Sequence, residues 1–160
     1  MSAARGGRVR AARAPVGRGT APRRRRSPAE PLVRLLTVGA LAVDAVVHLQ
    51  LADAMQLAAP GGIGGGALFR AQAVAATLAG IVLLVTGHRL AYAIAGLVAL
   101  SALVPVLLYT YVQVPAIGPI PSMYDPAWYP QKTASAIAEA AAVALAAIGF
   151  TLAPRRARAH

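Results

Sequence analysis

An all-α bundle of four membrane-spanning helices, threaded up-down-up-down, is the fold class this sequence predicts. Three observations carry the prediction. Of 160 residues 58% are hydrophobic and 13% charged, whereas a soluble domain carries about 25% charged residues. Four apolar runs follow one another, and each supplies the roughly 20 residues a helix needs to cross about 30 Å of hydrocarbon. The charge lies at the ends: of sixteen Lys and Arg, ten fall in the first 34 positions and three (Arg155, Arg156, Arg158) in the last six.

Residues 1–30 are rich in Ala, Gly, Pro and Arg and lack apolar periodicity. Such a segment cannot bury enough surface to offset its ordering entropy, so a disordered, Arg-rich cytoplasmic tail is expected. The run "RRRR" at 23–26 could grip anionic lipid or nucleic acid, but a topology signal on a solvated tail accounts for it more simply. Nucleic acid is not an expected partner. A twin-arginine export signal would need a hydrophobic pair after the arginines, and "SPAEP" follows instead.

The transmembrane domain is expected over 31–153, with helices at about 31–57, 67–87, 90–114 and 133–153, and a basic cytoplasmic tail at 154–160. The first run is longer than the core of a secretory signal, and "LADA" at 51–54 is a weak cleavage site, so the first helix is read as uncleaved. The second run is joined to the third by the tight link "GHRL", which makes those two helices antiparallel neighbours. The third contains Pro105, which removes a backbone donor and can kink the helix. The fourth is dominated by Ala, as expected where membrane helices approach closely.

Orientation follows from the basic residues. One side (1–34, 88–89 and 154–160) holds fourteen of the sixteen, and the other holds Arg70 and Lys132. The positive-inside rule then puts both termini in the cytoplasm of a multi-pass protein of the cytoplasmic (plasma) membrane. Loops 58–66 and 115–132 face outward. The absence of cysteine excludes a disulfide framework, a thiolate metal site and a thiol relay within this chain.

Ionisable residues inside a span are expensive, and each is a functional hypothesis. Arg34 and Arg89 sit at cytoplasmic ends and can snorkel. The others are Asp44, His48, Asp53, Arg70, Lys132 and Glu139. At about 1.5 Å of rise per residue, all of these fall at the midplane or in the outer half, and the inner half is expected to hold none. Asp44 and His48 are four apart on one face of the first helix, while Lys132, Ser135 and Glu139 form a stripe on the fourth. First and last helices are neighbours in such a bundle, so His48 and Glu139 are expected to meet, with Asp44 a turn below and Arg70 nearby. Gln50, Gln72, Tyr109, Tyr111 and Gln113 gather in the same half, with the two tyrosines read chiefly as an interfacial belt.

An outward-facing polar pocket lined by Asp44, His48, Arg70 and Glu139 is therefore inferred. Four readings of it stay open. The groups pair with one another and only lock helix packing, or they line a site for a small molecule of quinone or haem type. They could also hold a transition metal, although structural sites usually use more His or Cys than Asp-x-x-x-His plus one Glu offers. Ion passage is disfavoured, because it would need polar groups through the inner half.

The stretch "PAIGPIPSMYDPAWYPQK", 115–132, is long for a link between antiparallel helices. Its five prolines stiffen it, and Tyr124, Trp128 and Tyr129 prefer the headgroup zone. It is expected to fold back over the pocket mouth, with Tyr124 and Trp128 as ligand-binding candidates. "IGPIPSMYDPAWYPQKTASAIAE" (117–139) together with "VVHLQL" (46–51) resembles a group of small four-helix membrane proteins of actinobacteria. Its members pair a late histidine in the first helix with an I-G-P-x-P-x-M-Y-[DE]-P-x-W loop and an acidic residue early in the fourth. The matching residues are His48, Gly118, Pro119, Pro121, Met123, Tyr124, Asp125, Pro126, Trp128, Lys132 and Glu139. The resemblance covers 31–153 and implies a fold and topology, not a reaction. A vaguer likeness is to DoxX-like membrane proteins, some of which associate with quinone or thiol redox systems.

The function expected is thus a small integral membrane protein that binds a small ligand in its pocket or serves as accessory to a membrane redox or envelope system. The rival is a structural or partner-binding subunit. Its partners would be the lipid bilayer and either another membrane protein or a second copy of the chain. No cofactor is assigned, and no nucleophile–base pair or cofactor motif marks an enzyme acting alone.

Overall fold

The computed structural model describes residues 28–153. Of the expected tails, 1–30 and 154–160, residues 1–27 and 154–160 lie outside the described residues. Four helices and no β-strand are present among them: α1 (Glu30–Ala58), α2 (Gly65–Thr86), α3 (Arg89–Tyr111) and α4 (Pro130–Leu152). All four are long and apolar enough to cross a membrane. The largest boundary differences lie at the long loop. Helix α3 stops at Tyr111, three residues before the expected end, because Val112 is already extended. Helix α4 starts three residues early, since Pro130 at its first position presents the pre-set φ of a helix start and needs no hydrogen bond for its missing N–H.

Helix α1 packs against α2 and α4, and α3 against α4 and, less extensively, α2. The packing is made by small residues. Of nineteen buried hydrophobic residues among those described, fifteen are alanine. Gly65 and Gly66 bring the start of α2 against the backbone of Met55 and Ala52 near the end of α1, where an added Cβ would lie 2.7 and 2.5 Å from a carbonyl oxygen. The large aliphatics point the other way. Val85 is 76% and Leu97 66% exposed, beside an Ala99 at 0%. A soluble bundle would bury these side chains and cover its surface with charge. An outward apolar perimeter over a small-residue interior is what a lipid solvent permits, where close backbone approach replaces the hydrophobic drive.

The long loop is folded rather than draped. Ile117 and Ile120 exchange both backbone hydrogen bonds at 3.0 Å around a tight turn. Gly118 takes φ +56° there, and Pro119 cannot follow with a positive φ, which fits a type II′ turn. Its neighbour loop is docked onto it. Ile63 N–H donates to Pro119 O at 2.9 Å, and at Gly62 (φ +61°) an added Cβ would fall 2.0 Å from the same oxygen. Asp125 N–H donates to Tyr109 O at 3.0 Å, which returns the loop to the end of α3.

At the opposite end the structure corrects one expectation. The end of the bundle where α1 begins is not free of interior charge. Glu30, counted with the tail in the sequence, is the first residue of α1 and is 2% exposed. It accepts a hydrogen bond from the buried Tyr92 hydroxyl at 3.1 Å and lies 3.7 Å from Arg34. The cause is helix register: Glu30, Thr37, Leu41 and Asp44 recur at helical spacing, so the stripe that buries Asp44 also buries Glu30. Arg89 likewise does more than snorkel. Its guanidinium donates to Ala153 O (2.9 Å) and Thr151 O (3.2 Å), capping the last carbonyls of α4.

Candidate functional site

The site grows from the α1–α4 contact. Asp44 faces the interior of α1 and is fully buried, and Glu139 does so on α4 at 1% exposed. His48, one turn beyond Asp44, holds its Nδ1 2.7 Å from Asp44 Oδ1 and 3.0 Å from the Asp44 carbonyl oxygen. Its ring leans on Phe69 of α2, with centroids 4.8 Å apart. One ligand atom each from Asp44, His48 and Glu139 lies within 4.8 Å of the others. Three residues from positions 44, 48 and 139 thus converge, because α4 lies beside α1.

Each carboxylate has one oxygen held by a side-chain donor. Gln72 on α2 donates from Nε2 to Asp44 Oδ2 (3.0 Å) and to Val98 O of α3 (3.1 Å), while Ser101 Oγ donates to its Oε1 at 3.3 Å. Gln72 therefore links α1, α2 and α3. On α4, Ser135 Oγ donates to Glu139 Oε1 at 2.7 Å. Of the remaining oxygens, Glu139 Oε2 has no hydrogen-bond partner among the described residues, and Asp44 Oδ1 meets only the His48 Nδ1, at 2.7 Å.

The cluster borders a cavity of about 580 Å³. Its wall is mostly apolar, from Val47, Leu51, Met55, Leu68, Phe69, Ala102 and Val106, with His48, Gln72, Ser135 and Glu139 as a polar end. Pro105 contributes to the same wall and does not break α3. Ile120, Met123, Asp125 and Tyr129 of the long loop line it as well, with Tyr109 and Lys132.

Lys132 is the loop's anchor. Its side chain is 7% exposed, and the ammonium donates to the carbonyls of Asp125 and Ala127 (the latter at 3.1 Å) and pairs with Asp125 Oδ2 at 3.4 Å. It also lies 5.4 and 6.0 Å from the ring centres of Trp128 and Tyr129. Burial, reinforced by the Asp125 carboxylate, raises the Tyr129 phenol above its ordinary value.

The sequence-predicted residues divide. Asp44, His48 and Glu139 are brought together. Arg70 is not with them: its guanidinium pairs with Asp53 at 2.5 Å in a half-exposed position. An i-to-i+17 link across the α1–α2 turn competes for it more cheaply than a buried site would. Tyr124 and Trp128 are 40% and 43% exposed and do not line the cavity, and Trp128 sits 6.5 Å from the exposed Tyr111. The cavity instead takes Tyr129, Met123 and Tyr109. Gln72 was visible only as a polar residue at the right depth; no spacing in α2 marks it as the donor to Asp44.

The polar cluster is isolated along the bundle. Glu30 and Asp44 are separated by fourteen residues, about 21 Å of helix, with the buried Thr37 between them bonded to Val33 O. Comparison of the chain with protein-family models, with curated proteins and with solved structures finds no match.

Proposed function

We propose that this protein is a multi-pass protein of the cytoplasmic membrane that binds a small, mostly apolar molecule carrying a hydrogen-bonding head. The cavity of about 580 Å³ carries the reading. Small-molecule sites run from about 300 to 1,000 Å³ and combine apolar walls with a few convergent polar groups, as this one does. The apolar body of the ligand lies along the α2–α3 wall, and its head meets His48, Gln72 and Glu139. The folded 112–129 loop forms the cap, held by Lys132. The bundle is threaded up-down-up-down with both termini in the cytoplasm, so the loops 59–64 and 112–129 face outward. The excess of Arg at the chain ends supports that orientation.

The loop residues also support placing the chain with the small actinobacterial four-helix group. Gly118 and Pro119 make the tight turn, Met123 lines the cavity, and Asp125 and Lys132 pair. Such a ligand suits service beside a membrane redox or envelope system.

Native mass spectrometry of the detergent-purified protein tests the binding. A co-purifying small molecule is expected, and it should be lost in Ala75→Phe, which fills the wall, with the melting temperature retained. An equal load in the variant, or none in either protein, overturns the reading. A periplasm-active reporter fused after Tyr124 should be active, and a cytoplasmic signal there would reverse the orientation. The second reading, a structural subunit, draws on the Asp44–His48 contact at 2.7 Å. It predicts that His48→Ala and Glu139→Ala lower bundle stability while leaving the small-molecule content unchanged.

A further inference from the structure

We infer that Asp44, His48 and Glu139 bind one divalent first-row transition metal ion at the polar end of the cavity. The inference stands on the three donors and does not require the cavity's ligand.

Charge is the first argument. Two carboxylates at 0% and 1% exposure are costly to hold without a counter-charge. The basic residues nearby are committed elsewhere. Arg70 is paired with Asp53 and Lys132 with Asp125 and two carbonyls. Lys132 is also seven residues from Glu139, about 10 Å along α4. Among the described residues His48 is thus the cluster's one basic neighbour. A dication offsets both carboxylates at once.

Donor arrangement is the second, and it is independent of the first. Metal-bound carboxylates are characteristically steadied by a hydrogen bond to their outer oxygen. Gln72 holds Asp44 Oδ2 and Ser135 holds Glu139 Oε1, while Glu139 Oε2 is buried with no hydrogen-bond partner among the described residues and Asp44 Oδ1 meets only the imidazole of His48, the third donor, at 2.7 Å. Each carboxylate therefore presents one oxygen as a donor. Bonds of about 2.0–2.2 Å at tetrahedral angles set the donors about 3.3–3.6 Å apart. The three ligand atoms lie within 4.8 Å of one another, so closing onto an ion needs shifts of up to about 1 Å, within reach of side-chain torsions. The imidazole favours zinc, iron or nickel over magnesium or calcium, and the two carboxylates also admit manganese. Three protein donors leave coordination positions open toward the cavity, which His48 and Glu139 both border.

The test uses the full chain in detergent, stripped with chelator and reloaded separately with Zn²⁺, Mn²⁺ or Mg²⁺. Elemental analysis after desalting should give one Zn²⁺ or Mn²⁺ per chain and no Mg²⁺. Asp44→Asn and Glu139→Gln, which keep side-chain volume, should each weaken binding at least a hundredfold by calorimetry. Ser135→Ala, which removes only the supporting hydrogen bond, should weaken it about ten- to a hundredfold. Should the carboxamide variants not fold, Co²⁺ loading of the wild-type protein decides: visible d–d bands with an imidazole contribution support the site, and their absence overturns it. Less than one-tenth of an ion per chain, or affinity indifferent to both carboxamide variants, also overturns it. Ala75→Phe separates the two proposals, since it should empty the cavity and keep the metal. A ligand retained by a chain that binds no metal sinks the metal site alone.

Discussion

Replacing Lys132 by Met would release the cap without emptying the bundle. The thioether has nearly the length of the lysine stem and keeps its packing, so the change isolates the ammonium. Lost are two charge-assisted hydrogen bonds, to the carbonyls of Asp125 and Ala127, and an ion pair at 3.4 Å with Asp125 Oδ2. Hydrogen bonds to a charged group contribute about 1.5–3 kcal/mol each, and the nearby Trp128 and Tyr129 rings add about 0.5–1. Relief of the buried ammonium's desolvation offsets part of that sum. A net loss of about 3 kcal/mol results, or about two orders of magnitude in the opening equilibrium of the loop. Hydrogen exchange read by mass spectrometry reports it locally. The amides of Asp125, Ile120 and Ile63, bonded to Tyr109 O, Ile117 O and Pro119 O, should exchange about a hundredfold faster, with the central turns of α1 and α3 unchanged. Exchange at these three amides within about threefold of wild type would refute the anchor. So would a uniform acceleration across all helices, because that would mean the bundle and not the cap had loosened.

Gly149→Ala places a methyl 2.1 Å from Tyr92 Cε1, about 1.3 Å inside ordinary contact, against a ring that is fully buried and bonded to Glu30. Overpacking of this kind costs about 1–3 kcal/mol, so thermal unfolding in detergent should drop by several degrees, and an unchanged melt would contradict the packing described. Glu30→Ala leaves the Tyr92 hydroxyl without its carboxylate, an expected loss of about 1–3 kcal/mol; the same substitution in a Tyr92→Phe background should cost clearly less. The Tyr129 phenol is held above its ordinary value of 10 by burial first and Asp125 second. The folded chain thus keeps that proton more tightly than the unfolded one, and the contribution is complete below about pH 10 and fades as pH rises beyond it. Tyr129→Phe should remove that alkaline component from a melting-temperature profile; parallel wild-type and variant profiles would argue against it.

Helix number, approximate bounds and the polar positions on α1 and α4 were legible because each rests on local information. A run of about 20 apolar residues needs a span whatever its neighbours do, and a spacing of four puts Asp44 and His48 on one face in any helix. The partners of these groups were not local. Arg70 was grouped with the cluster on depth alone, and only the α1–α2 packing shows that Asp53 reaches it first. Depth likewise recommended Tyr124 and Trp128, whereas the turn at Gly118 and the Lys132 anchor aim Met123 and Tyr129 into the cavity instead. Glu30 read as tail because charge beside prolines and arginines resembles solvated chain, yet the register of α1 carries it into the interior.

Composition and periodicity are properties of one segment at a time, and they were enough to make this chain a four-helix membrane protein with acidic and histidine side chains facing inward. That Gln72 holds one oxygen of Asp44, 28 positions away, and that Glu139 of α4 comes to lie beside Asp44 and His48 of α1, depends on distances between helices. Those distances are set by how closely alanine and glycine let four backbones approach; a single helix supplies only the i,i+4 pairs Asp44–His48 and Ser135–Glu139.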